Sequence, residues 1–181
     1  ITGLDDYEVV REGLARSFQI SNIFPNLTVR ENLRVGVQKE GQWYNFWRHR
    51  SSFENSTARV KELATLVNLT DYLEVAAADL SHADQRLLEI GLTLSTSPEV
   101  ILLDEPTAGL SLEETNDIMK VLAEKVFPEV KALIMIEHDM DVVKSYSDRV
   151  VVLNNGGVLM EGSPMAVQQD EKVKSVYLGE A

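Results

Sequence analysis

The sequence predicts an α/β fold, helical from about residue 27 to 97 and alternating between strands and helices from about 98 to the end. Three observations carry this reading. Two apolar runs, Val100–Leu103 and Ala132–Ile136, have strand length and are each followed by acidic residues. Helix-start signals of the Ser/Thr-x-x-acid kind recur along the chain. Within the helical segment, Val60, Leu63, Leu66 and Val67 recur at helical spacing and form one apolar face.

The elements follow in order. Thr28-Val-Arg-Glu31 is a capping box, in which the Thr hydroxyl accepts from an early backbone N–H and the Glu reaches back. Ser81-His-Ala-Asp84 repeats the pattern with Asp in place of Glu. Glu99-Val-Ile-Leu-Leu-Asp104 is a continuous apolar run ending in a carboxylate, the pattern of a strand buried on both faces. Ser111-Leu-Glu-Glu114 is a second capping box and predicts a helix through about Lys125. Lys131–Glu137 is a second strand. Val150–Leu153, then Asn-Asn-Gly-Gly, then Val158–Met160 predict a β-hairpin. Ser163-Pro164 places a capping serine before a proline at the first helical position.

One segment stands apart. Gly41–Phe53 holds Trp43, Tyr44, Phe46 and Trp47 beside Arg48, His49 and Arg50. It reads either as a membrane-facing or partner-docking loop or as a helix–helix connection with partly buried aromatics.

Composition narrows the function classes. The chain has 181 residues, enough for one domain with a sizeable core. Its net charge of −12 argues against broad contact with nucleic acid or an anionic membrane, both of which need basic patches. There is no cysteine, which excludes disulfides and thiolate metal sites. No signal peptide is recognisable at Ile1, and no apolar run approaches the ~18 residues of a membrane span. The Asn-x-Ser/Thr triplets at Asn26, Asn55 and Asn68 read as chance, since nothing indicates secretion.

The chemistry concentrates where the strands end. A buried strand closing on Asp104-Glu105-Pro106 places two carboxylates at the carboxyl edge of a sheet, where ligands of α/β folds bind. One can hold Mg²⁺, and the other can orient or deprotonate a water for attack on a phosphoryl group. The same run also reads as an ordinary helix-entry turn. The second strand ends in Ile136-Glu137-His138-Asp139. His138 there is a candidate γ-phosphate contact, and equally a structural histidine.

Leu80-Ser-His-Ala-Asp-Gln-Arg86, then Asp104-Glu105-Pro106, then Glu137-His138-Asp139, in that order, resemble the ATPase subunits of ABC transporters. Leu80–Asp84 looks like the family signature, Leu102–Asp104 like the Walker B strand, and His138 like the switch histidine. Ala15-Arg-Ser-Phe-Gln19 looks like the loop whose glutamine contacts Mg²⁺ and senses the transmembrane subunit. Ala108-Gly-Leu-Ser111 falls where the dimer-contact loop lies, with Ser111 at a position usually held by aspartate, as also in amino-acid importers. Phe18–Thr28 and Val176–Glu180 resemble the subgroup serving branched-chain amino-acid importers, with urea importers close by. The resemblance covers nearly the whole chain.

Two departures stand out. A phosphate-binding loop needs G-x-x-x-x-G-K-[ST], and none of the eight lysines follows a glycine. Ile1-Thr-Gly-Leu-Asp also resembles a stretch from inside the domain, so the expectation is either a fragment or a short protein that lost ATP binding and acts as a binding module. Ala83 stands where the signature usually has glycine, which permits close backbone approach to a phosphate. The methyl group is expected to weaken or slow that contact without loss of the fold. His82 reads as a surface residue.

The resemblance therefore implies an incomplete P-loop NTPase, RecA-like over residues 1–26 and 98–181, with a helical subdomain at about 27–97. It implies ATP and Mg²⁺, with two ATP molecules sandwiched between two ATPase subunits. Asp104 and Gln19 would serve Mg²⁺, Glu105 would activate the water, and His138 would steady the γ-phosphate. Ser81, Ala83 and Asp84 would complete the partner's site, beside the loop carrying Ser111. The implied partners are permease transmembrane subunits and a second ATPase subunit at the cytoplasmic face of the membrane, with no nucleic acid. Without the phosphate-binding loop, the 181 residues are expected to be inactive alone.

Overall fold

The computed structural model describes residues 2–17, 23–37 and 50–177. They form two compact units, Ile1–Ile136 and Glu137–Ala181. The first unit runs α1 (Asp6–Arg11), β1 (Leu14–Arg16), α2 (Val29–Val37), α3 (Arg50–Leu66), α4 (His82–Leu94), β2 (Val100–Asp104), α5 (Leu112–Val121) and β3 (Ala132–Ile136). The second holds α6 (Met140–Tyr146), β4 (Val150–Asn154), β5 (Gly157–Gly162), α7 (Pro164–Gln169) and α8 (Glu171–Tyr177). Gln19 and the aromatic cluster Trp43–Trp47 lie outside the described residues.

The capping signals form as the sequence spaces them. Thr28 N–H and hydroxyl both donate to Glu31 Oε2, at 2.9 and 3.0 Å, and Glu31 N–H returns to Thr28 Oγ1 at 3.2 Å. Ser111 repeats this with Glu114, at 2.8 and 2.7 Å outward and 3.4 Å back. The buried Asn32 ties the incoming chain to α2: it accepts from Phe24 N–H at 2.8 Å and donates to the carbonyls of Phe24, Leu27 and Thr28.

Helix α2 crosses α4 at close range. A Cβ at Gly36 would stand 2.2 Å from Ser95 Oγ, and one at Gly91 would stand 3.0 Å from Leu33 Cδ2. Small residues at these two points let the helices meet and bury Leu33, Leu63, Val67 and Leu88.

Three parallel strands make the sheet, in order β1-β2-β3. Arg16 pairs with Leu102, and Asp104 pairs with Ile136. The sequence does not separate the short strand β1 from the loop after it, since Ala15–Gln19 reads there as one loop.

One face of the sheet carries the buried Ala15, Ile101 and Leu103. The other carries Leu14, Arg16, Val100, Leu102, Asp104, Ala132, Ile134 and Ile136, by alternation and register. Ile134 and Ile136 on that face are 56% and 53% exposed. This departs from the expectation of strands buried on both faces. The apolar run in β2 and β3 is present, but the described chain buries only one side of it.

Helix α5 also ends earlier than the sequence suggests. After Val121 the chain widens into a π turn, Leu122–Val126, closed by Phe127 N–H on the Leu122 carbonyl. Pro128 follows and has no N–H to continue the α pattern.

In the second unit, β4 and β5 form the expected hairpin about Asn155-Gly156, both at positive φ, as a tight primed turn requires. Val152, Val167 and Val173 make its core, with Val150, Leu159 and Met160 packed against them.

Candidate functional site

The carboxyl end of β2 is where the sequence places its paired carboxylates. The strand delivers Asp104 as its last residue, and Glu105 follows at φ 48°. That left-handed conformation is uncommon for a residue with a Cβ and concentrates at functional sites. One local contact is visible: Glu105 N–H donates to the Ile136 carbonyl at 2.9 Å, extending the ladder to β3 by one bond past Asp104.

Asp104 is not isolated. Arg16 Nη2 donates to its Oδ2 at 3.0 Å, across the β1–β2 pair. Ser17 N–H donates to the Leu102 carbonyl at 2.9 Å, and Asp104 N–H reaches Ser17 Oγ at 3.4 Å. The end of β1 is therefore bound to the end of β2 through both backbone and side chains. Arg16 is the residue that sequence reasoning missed. Its partner lies 88 positions away, and only strand register brings the two together.

Asp104 and Glu105 offer hard carboxylate oxygens, suited to a cation such as Mg²⁺. Among the described residues no group of three or more His, Cys, Asp or Glu side chains could hold a metal. One or two protein oxygens, with water and phosphate supplying the rest, is the manner in which Mg²⁺ is held in phosphoryl-transfer sites. The residues present fit that mode and not an all-protein cage.

Ser81, Ala83 and Asp84 come together at the start of α4. Ser81 Oγ accepts from Asp84 N–H at 3.1 Å and donates to Asp84 Oδ2 at 2.7 Å. Ala83 lies in the first helical turn, a conformation alanine takes without strain. His82 is exposed beside them. The loop before α5 approaches this turn: a Cβ on Gly109 would lie 3.7 Å from His82 Nε2. Gly109 itself sits at φ 78°, where glycine is the favoured residue. Ser111 closes that loop as the N-cap of α5.

His138 stands in the second unit, exposed, with its N–H donating to Glu137 Oε2 at 3.3 Å. Asp139 next to it caps α6, accepting from Asp141 N–H at 2.8 Å and Val142 N–H at 3.3 Å. Gln19, the remaining residue singled out from the sequence, lies outside the described residues. Among the described residues no helix is long and apolar enough to cross a membrane.

Comparison with known proteins bears on what this arrangement serves. Residues 2–108 match the ABC transporter family. The whole chain is 35% identical over 188 residues to the high-affinity branched-chain amino acid transport ATP-binding protein BraF of Pseudomonas aeruginosa, covering 73% of that protein. The fold is similar to the ADP conformation of MJ1267, an ATP-binding cassette of an ABC transporter: the TM-score is 0.81 at 28% identity, over 99% of this chain and 74% of that one. A dimeric post-hydrolysis state of the ATP-binding cassette MJ0796, bound to ADP and Pi, matches with a TM-score of 0.70 at 25% identity, over 90% of this chain and 68% of that one.

Proposed function

The chain belongs to the ABC transporter family, in the subgroup of ATP-binding subunits that serve branched-chain amino-acid importers, and from that premise we propose how its residues divide the work of ATP hydrolysis. The observation that carries the reading is the end of β2, where Asp104 and Glu105 leave a parallel sheet side by side, with Glu105 held at φ 48°. Asp104, together with Gln19, holds the Mg²⁺ that accompanies ATP, and the cation supplies charge neutralisation at the phosphates. Glu105 orients and deprotonates the attacking water. His138 contacts the γ-phosphate. Ser81, Ala83 and Asp84, at the exposed start of α4, face the nucleotide of a second ATPase subunit. Ser111 fixes the loop that lies between the two subunits.

The helical subdomain is residues 27–97, and the remainder is the RecA-like part. The partners are permease subunits and a second ATPase subunit, at the cytoplasmic face of the membrane. The imported solute is a branched-chain amino acid, in line with the name of the Pseudomonas relative. Urea is the alternative within the same family.

A second reading has its own observation. The 181 residues contain no G-x-x-x-x-G-K-[ST], so they lack the backbone cradle and lysine that grip the β- and γ-phosphates. By themselves they act as an association module that lends the α4 turn to a complete subunit.

One experiment separates the readings. Phosphate release is measured for the chain alone and for its mixture with an intact ATPase subunit of a branched-chain importer. The expected result is background alone and a gain in the mixture that Ser81→Ala removes. Turnover by the chain alone that Glu105→Gln abolishes would show that these residues need no separate phosphate loop. Failure to associate with any ATPase or permease subunit would sink both readings.

A further inference from the structure

We propose that Arg16 is a positioning residue for the Asp104 carboxylate, holding it in place of the divalent cation and giving it up when the cation binds. The proposal rests on the reading of Asp104 as a cation ligand. The geometry behind it is local and specific. Strand β1 ends at Arg16, in register with Leu102, while β2 continues two residues further to Asp104. Residues 102 and 104 lie on the same face, so the long Arg16 side chain runs along the sheet and its Nη2 meets Asp104 Oδ2 at 3.0 Å.

The two partners differ in exposure. The Asp104 side chain is 15% exposed and that of Arg16 is 53% exposed. A largely buried carboxylate needs a positive partner, and the guanidinium supplies one from the solvent side at little cost to itself. The same carboxylate cannot give its full charge to both a guanidinium and a cation. Binding of one therefore weakens binding of the other, by the same factor in each direction.

The consequence reaches beyond the metal. Arg16 and Ser17 are the last described residues before the segment carrying Gln19, and both are anchored on the end of β2. Arrival of the cation at Asp104 removes one of these anchors. The end of β1 is thereby linked to occupancy of the cation site through a side chain rather than through the nucleotide.

The test uses the intact chain, nuclear magnetic resonance and two probe ions. Mn²⁺ is titrated in, and the concentration that broadens the Glu105 and Thr107 amide signals is read for the parent, Arg16→Gln, Arg16→Lys and Asp104→Asn. Arg16→Gln should lower that concentration about two- to fivefold, the worth of a partly exposed ion pair. Arg16→Lys, which keeps the charge, should lower it less. In the parent, saturating Mg²⁺ should shift the Arg16 Nε signal from its starting position, in the direction that Asp104→Asn shifts it. A residue with a merely structural role would leave both the Mn²⁺ midpoint and this signal unmoved.

An unchanged or raised midpoint in Arg16→Gln, with Asp104→Asn still abolishing the broadening, overturns the inference and leaves the reading of Asp104 intact. Broadening that survives Asp104→Asn, or none at these amides in the parent, overturns both.

Discussion

Glu105, proposed to activate the attacking water, sits in a backbone conformation that carries a cost. At φ 48° its Cβ crowds the backbone, which costs on the order of 1–2 kcal/mol for a residue other than glycine. The bond from its N–H to the Ile136 carbonyl ties it there. Removing the carboxylate and removing the strain are therefore separable. Glu105→Gly should be more stable than Glu105→Ala by about 1 kcal/mol, read as the difference in urea midpoints multiplied by the common slope. Equal stabilities would show that the neighbours have relaxed the strain. Neither the φ value nor the Arg16–Asp104 pair was legible in the sequence. The Asp-Glu-Pro run marks the place, but only the paired strands fix its geometry.

At the scale of the element, the capped helices were legible because their signals are local, whereas α1 and α8 were not read. Thr28 with Glu31 and Ser111 with Glu114 lie three residues apart, and the bonds form as that spacing dictates. The Thr28 N–H and then its hydroxyl hold the Glu31 carboxyl below its ordinary value of 4.5. The Ser111 hydroxyl and then its N–H do the same for Glu114. Both shifts lower the folded-state pKa, so their stabilisation is present above the unfolded value and is lost as pH falls through the folded value. The melting temperature should fall as pH drops from about 5 toward 3. The double variant Glu31→Gln/Glu114→Gln should fall less steeply over that range, and parallel curves would remove the capping carboxylates from the account.

Asn32 was not legible as more than a helix residue. It is buried and uses both ends of its amide on the segment Phe24–Thr28. Asn32→Ala leaves the Phe24 N–H and several carbonyls without this partner and should cost about 2–3 kcal/mol in chemical denaturation. A cost under about 0.5 kcal/mol, ordinary for a surface position, would mean that water replaces the amide.

For the whole molecule, the open face of the sheet is an exposed apolar surface. Parallel sheets are covered on both faces, because the crossover connections place helices there. Here Ile134 and Ile136 stand more than half exposed in a strand whose sequence is apolar throughout. Exposed apolar surface of this kind drives association. At high concentration the chain should self-associate in light scattering. Ile134→Lys with Ile136→Lys should weaken that association tenfold or more, on an estimate of about 1.5–3 kcal/mol for each large apolar side chain buried. A monodisperse monomer of the parent chain at the same concentration would count against the open face as an association surface.

The sequence by itself determined the class of fold, the order of the capped helices and apolar strands after residue 27, and the position of the paired carboxylates. Capping boxes, apolar runs and a strand ending in Asp104-Glu105 are all local patterns, written within a few residues of the structure they produce. Tertiary structure alone decided what meets what. It paired β1 with β2 so that Arg16 reaches Asp104, set His82 beside Gly109, and buried one face of the sheet while leaving the other open. The physical reason is sequence separation. Contacts across tens of residues depend on strand register and helix packing, which the chain settles only when its apolar surfaces are buried together.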